Sequence, residues 1–139
     1  MTPPAVELVE ALSGGVTTPK GFRAAGVAAG IKTAGLDLAL LVSDRPATAA
    51  AVFTTNRAQA APVVVSREHL ARSGGTARAV VANSGCANAC TGEAGLLVAR
   101  RMADETARLV GCAPEQVLVA STGVIGVAFI QAIIVGICL

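Results

Sequence analysis

Hydrophobic and polar positions alternate between two rhythms along the chain. The segment Gly21-Phe-Arg-Ala-Ala-Gly-Val-Ala-Ala-Gly30 is apolar, punctuated by glycine and without a helical period. It predicts a strand with close backbone neighbours. Leu36–Val42 predicts a second strand, stopped by Ser43-Asp44-Arg45-Pro46. Pro46 pushes Arg45 out of the helical region, which favours a turn there. Ala49–Thr55 predicts a third strand, so that strands two and three read as a hairpin.

The rhythm then changes. Pro62 opens a predicted helix over Pro62–Arg72, where a missing N–H costs little, and Ser73-Gly74-Gly75 stops it. Ala77–Asn83 predicts a buried strand running into a Ser-Gly loop. A second helix is predicted from Thr91 or Gly92 to Val110. Its apolar positions Leu96, Leu97, Ala99, Ala103, Ala107 and Val110 recur at helical spacing. Gly111 suits a C-cap. Val117–Ala120 predicts a last short strand, entering a loop over Ser121-Thr-Gly-Val-Ile-Gly126. The fold class expected is α/β, in an α+β layered arrangement, over residues 1–126.

The tail reads differently. Residues 127–139 carry no charge, and isoleucine, found before them only at 31 and 125, recurs at 130, 133, 134 and 137. The spacing is helical but has no polar face. Thirteen residues are too few to span a bilayer, which takes about 20. A core helix and a partner-facing segment are open readings. The composition break favours a third, a frame-shifted or truncated end.

Composition narrows the function classes. The chain has 139 residues, one domain's worth, with 53% hydrophobic and 14% charged residues, the reverse of a disordered chain. Phe22, Phe53 and Phe129 are its only aromatic residues, so stacking platforms for single-stranded nucleic acid are not expected. A net charge of +2 does not argue for a phosphate-tracking surface. Cys86, Cys90, Cys112 and Cys138 contain no C-x-x-C pair, and the one histidine, His69, has no cysteine nearby in sequence. No metal site is expected. The N-terminus lacks a basic region before Lys20, and a cytoplasmic protein with reduced thiols is the expectation.

Two loops could carry chemistry. The first, Ala82–Gly92, packs Asn, Ser, Gly and Thr between a buried strand and a helix. Such a loop can aim backbone N–H groups at a small ligand. It reads equally as a turn with Asn88 or Thr91 capping the helix. The second is Ser121–Gly126. Thr122 and Gly123 can offer a hydroxyl and a backbone N–H to a developing oxyanion, as acyl transfer requires. It reads equally as an ordinary glycine turn. Cys86 and Cys90 lack a cationic neighbour in sequence and are expected to be packing residues. His69 is expected to be a solvated or half-buried helix residue.

Several blocks together resemble the ornithine acetyltransferase (glutamate N-acetyltransferase, ArgJ-type) family. They are Gly15-Val-Thr-Thr-Pro-Lys-Gly-Phe22, Asp37-Leu-Ala-Leu-Leu-Val-Ser43, Ala51-Val-Phe-Thr-Thr-Asn56, Asn83-Ser-Gly-Cys-Ala-Asn-Ala-Cys-Thr-Gly92 and Ser121-Thr-Gly-Val-Ile-Gly126. Order and spacing match over residues 15–126, with Cys86 where Asn or Gly is expected. The resemblance implies the N-terminal, α-chain portion of the family's fold. It implies acetyl transfer from N-acetylornithine to glutamate in arginine biosynthesis. Some members also acetylate glutamate from acetyl-CoA, so acetyl-CoA is the one co-substrate it brings in, and no other cofactor. Family precursors cut themselves before a threonine, whose hydroxyl is the nucleophile and whose own amine is the base. The resemblance assigns the oxyanion hole to Thr122 and Gly123, and makes the β chain the partner in an α2β2 heterotetramer. No Ala-Thr-Met-Leu-like junction occurs in this chain. It is therefore expected to lack the nucleophile and to be inactive alone. The alternative is a truncated remnant with no catalytic function. A third reading is a small-molecule binding module built on the Asn83–Gly92 loop. Neither nucleic acid nor membrane is an expected partner.

Overall fold

The computed structural model describes residues 13–127. The elements run β1 (Phe22–Val27), β2 (Leu38–Thr48), α1 (Ala61–Arg72), β3 (Thr76–Cys86), α2 (Gly92–Val110), a short 3-10 turn (Pro114–Gln116) and β4 (Val117–Val124). The sheet order is β1-β2-β3-β4. β2 pairs antiparallel with β1 and β3, while β3 and β4 are parallel and joined through α2. The layered α and β architecture expected from the pattern is the one observed.

Alternation along each strand divides the sheet into two faces. Leu38, Ala79, Val81, Val117 and Val119 point to one side and form the core with Val65 of α1 and Ala99, Met102, Ala103 and Ala107 of α2. Small residues on α2 let the helix lie close to the sheet. The opposite face holds an in-register row, Ala24, Leu41, Val80 and Leu118, and beside it Ala39, Ala82 and Ala120. That face is apolar and no described helix covers it.

Both helices keep close to their expected bounds. Proline stands in the first turn of α1. Gly111 ends α2 in the left-handed conformation, φ 71, its N–H donating to the Ala107 carbonyl. Within α2 the buried positions are Gly95, Ala99, Met102, Ala103, Thr106 and Ala107. Leu97, expected inside, is 66% exposed.

Three strand expectations are corrected. β2 does not stop at Ser43 but continues through Pro46 to Thr48. Its register with β3 shifts between Val42 and Ala47, so Pro46 falls in a bulge where its missing N–H leaves no ladder bond unmade. Ala49–Thr55 is not a strand, and there is no hairpin between it and β2. β2 already has β1 and β3 on its two sides, so neither of its own edges is free to pair with the segment in a hairpin. Local bonds take over instead. Thr54 Oγ1 accepts the Asn56 N–H and Asn56 Oδ1 accepts the Ala58 N–H, the side-chain-to-backbone pattern that competes with a ladder. Thirdly, Ser121–Val124 is the end of β4 rather than loop.

Among the described residues no helix is long and apolar enough to cross a membrane, and no three of His, Cys, Asp and Glu gather as a metal site would need. The readings of the isoleucine-rich tail fall on residues 128–139, which lie outside the described residues, apart from Val127.

Candidate oxyanion site at the end of β4

β4 is an edge strand, and an edge strand exposes a row of unpaired backbone groups. In a strand, alternate residues turn their N–H and C=O to the same side. Val117 and Val119 turn theirs away from β3; the Val117 N–H donates to the Pro114 carbonyl of the 3-10 turn, and α1 satisfies the rest. His69 Nδ1–H donates to the Val117 carbonyl at 2.9 Å. A carbonyl can only accept, so this ring carries a proton on Nδ1. The Ser66 hydroxyl donates to the Val119 carbonyl and accepts the Val119 N–H, both at 2.8 Å. Ser66 and His69 are both buried. His69 is thus an edge-capping residue inside the fold, not the solvated or half-buried helix residue expected. Neither role is visible in sequence, because each partner lies about fifty positions away.

Among the described residues, no α1 side chain bonds the strand beyond Val119. By the same alternation Ser121 and Gly123 turn their backbone groups to the edge that α1 leaves open. Thr122 and Gly123 are both exposed. Thr122 lies on the apolar face, following Leu118 and Ala120, and Ser84 of β3 is its register partner.

The strand end is shaped by two facing glycines. Gly123 (φ 128) is the register partner of Gly85 (φ 109). A Cβ on Gly123 would overlap the Gly85 carbonyl group and stand 2.7 Å from the Cys86 nitrogen. Only glycine takes both this close approach and this backbone conformation without strain. The pair lets the two parallel strands draw together just where the Gly123 N–H faces outward.

The first sequence-predicted loop is shorter than expected, since β3 runs to Cys86. It is a brace for the second. Ala87 N–H donates to the Val124 carbonyl and Gly126 N–H to the Ala89 carbonyl, both at 2.9 Å. Asn88 is fully buried at φ 48. Its Nδ2 donates to the Gly95 carbonyl at 2.9 Å, and its Oδ1 accepts the Thr91 hydroxyl at 2.8 Å. Its carbonyl accepts the Ala61 N–H at the start of α1. Thr91 occupies the N-cap position of α2 but makes no capping bond, so neither Asn88 nor Thr91 caps the helix by its side chain as expected. Asn88 instead ties the starts of both helices to the turn.

Of the loop cysteines, Cys86 is buried as expected, whereas Cys90 is exposed at φ 57. Asn83 Nδ2 donates to the Cys86 carbonyl at 2.9 Å. Asn83 Oδ1 and Ser121 Oγ, on register partners, are buried without a hydrogen-bond partner among the described residues.

Asp37 stands at the entry to β2, near this end of the sheet. It is 3% exposed. Backbone N–H groups of Lys32, Ala29 and Ile31 bond its carboxylate and hold its pKa below the ordinary 3.8, against the opposing effect of burial. The Lys32 charge adds to the lowering. Sequence reasoning placed Asp37 in a matching block without seeing this role.

Known proteins are similar to this chain in sequence and in fold. The ArgJ family model matches residues 23–137. The arginine biosynthesis bifunctional protein ArgJ of Thermosynechococcus vestitus is 57% identical over 116 residues, covering 83% of this chain and 27% of that protein. The same protein of Nitratidesulfovibrio vulgaris is 60% identical over 110 residues, 78% of this chain and 28% of its own length. The chain therefore spans just over a quarter of the length of these curated relatives. Among solved structures, the Bacillus halodurans ArgJ superposes with a TM-score of 0.86 at 43% identity, over 89% of this chain and 65% of that one. The Mycobacterium tuberculosis ornithine acetyltransferase, solved with ornithine, gives 0.82 at 44% identity, over 88% and 67%. With the family model matched over most of its length and the fold shared with these enzymes, this chain belongs to the ArgJ family.

Proposed function

We propose that this chain supplies the oxyanion-stabilising half of an acetyltransferase that moves an acetyl group from N-acetylornithine to glutamate. One observation carries the reading. At the end of β4 Thr122 and Gly123 are both exposed, the Gly85–Gly123 approach fixes the backbone there, and strand alternation turns the Gly123 N–H away from β3. Acyl transfer needs such donors, because negative charge gathers on the carbonyl oxygen in the tetrahedral intermediate. The names of the relatives support the pathway and the substrate class.

The chemistry then runs as follows. The hydroxyl of a threonine nucleophile, contributed from outside residues 13–127, attacks the acetyl carbonyl, and its α-amine takes the proton. Thr122 Oγ–H and Gly123 N–H bind the oxyanion. The ornithine amine leaves with a proton, and an ester remains on the threonine. The glutamate amine attacks that ester through a second tetrahedral oxyanion, held by the same two donors; its collapse breaks the ester bond, the threonine oxygen leaves with the proton given up by the attacking amine, and N-acetylglutamate is released. Acetyl-CoA is proposed as a second acetyl donor, used by the same route. The nucleophile comes on the β chain of a precursor that cuts itself, and the assembly is an α2β2 heterotetramer.

The test is a hybrid in which residues 13–126 replace the matching segment of the Thermosynechococcus vestitus relative. The hybrid is expected to transfer acetyl from N-acetylornithine to glutamate. Thr122→Ala in it is expected to lower kcat by roughly 10²–10³-fold, the usual loss for one oxyanion donor. An inactive hybrid, or an unchanged kcat, rejects the reading.

A further inference from the structure

The loop between β1 and β2 is closed by one carboxylate. Asp37 Oδ1 accepts the Ala29 N–H at 2.6 Å, and Oδ2 accepts the N–H groups of Ile31 and Lys32 at 2.7 and 2.8 Å. The backbone of Asp37 is engaged too. Its N–H donates to the Val27 carbonyl at 3.0 Å, and its carbonyl accepts the Ser84 N–H at 2.8 Å. Five backbone groups, four from residues 27–32 and one from β3, thus converge on one residue.

What the loop rests on gives this arrangement its interest. A Cβ on Gly85 would stand 2.9 Å from Lys32 Cγ and 3.0 Å from Ile31 Cγ2. The two side chains therefore lie directly on Gly85, the residue after Ser84. Gly85 in turn backs against Gly123. An unbroken chain of contacts runs from the carboxylate, through Ile31 and Lys32, to Gly85 and then to Gly123. Closing the loop alone does not call for a buried charge, since Gly30 and Gly35 (both φ 79) already turn the backbone. Burying a carboxylate is costly unless several donors meet it, and here three do. Such an expenditure suits a site whose donors must be held to about 0.5 Å.

We infer that Asp37 is a positioning residue for acyl transfer: by pinning Ile31 and Lys32 onto Gly85, it fixes the Gly123 N–H at the open edge of β4. The inference rests on the oxyanion reading of Thr122 and Gly123. Asp37 is buried and its carboxylate is occupied by backbone N–H groups. It acts through backbone and packing.

The test is a double-mutant cycle in the hybrid enzyme, with kcat and the KM for glutamate measured per active site. Asp37→Asn keeps the shape of the side chain and removes the charge that three N–H groups meet. It is expected to lower kcat roughly 10- to 100-fold with KM held within about twofold, the signature of misplaced transition-state donors. Added to Asp37→Asn, Thr122→Ala should cost clearly less than it costs alone, because both act on one element. A purely structural Asp37 would give effects that multiply. Multiplying effects, an unchanged kcat, or a change confined to KM overturn the inference while leaving the role of Thr122 standing. A Thr122→Ala variant with undiminished kcat, or an inactive hybrid, overturns both. If Asp37→Asn does not fold, Ile31→Ala, which spares the backbone bonds to the carboxylate, takes its place in the same cycle. Its expected loss in kcat is about threefold or more.

Discussion

Replacing Ser66 by alanine removes a hydroxyl that serves both backbone groups of Val119. The site is buried, so no solvent takes its place. Two backbone groups, one N–H and one C=O, lose their partner at once. Each unsatisfied buried group costs about 1–3 kcal/mol, and partial relaxation of the strand toward α1 trims the sum to about 2–4 kcal/mol. That energy falls on the edge of β4, three residues before Thr122. It should appear as local opening, since strand edges open in units smaller than the whole fold. Hydrogen–deuterium exchange, followed by mass spectrometry on peptides covering Val117–Val124 in the hybrid enzyme, reads it directly. At about 1.4 kcal/mol per factor of ten, exchange there should quicken by about 30- to 1,000-fold, with peptides of β1 and β2 unchanged. Acceleration below about threefold would refute the reasoning, because it would mean that Val119 finds other partners or that α1 is not its edge cover.

Two further outcomes follow from neighbouring groups. Asn88→Ala forces alanine into the left-handed conformation and deletes both side-chain bonds to the start of α2, so the hybrid should lose about 2–4 kcal/mol in denaturant unfolding. Asn88→Gly, which relieves only the backbone strain, should recover part of it. For Asp37 the folded pKa is lowered, so its contribution to stability is present above the unfolded value and lost as pH falls through the folded one. Exchange protection of the Ala29, Ile31 and Lys32 amides should therefore persist below pH 3.8 before it fails, and Asp37→Asn should abolish that acid step.

Much of the architecture was legible in the sequence, and the exceptions have identifiable causes. The two helices were readable because proline and glycine mark their ends and small apolar residues recur at helical spacing between them. β1, β3 and the core of β2 were readable as apolar runs. The alanine-rich 49–55 segment was misread because strand-like composition says nothing about whether a sheet edge is free. The extension of β2 through Pro46 was missed because the bulge that tolerates a proline is a property of the register with β3. Thr122 and Gly123 stood out as a hydroxyl and a glycine at the end of a strand, although the sequence suggested a loop where the chain stays paired.

By itself the sequence determined the elements with strong local signals, the blocks that mark the ArgJ family, and the residue types at the end of β4. These depend on periodicity, caps and spacing, which act over a few residues. Tertiary structure decided which strand lies at the edge, that Ser66 and His69 cover it, that Gly85 meets Gly123, and that Asp37 gathers the 28–36 loop above them. Each of these is a meeting of groups far apart along the chain. Their donors and acceptors carry no local mark of their partners, and only burial makes their pairing obligatory.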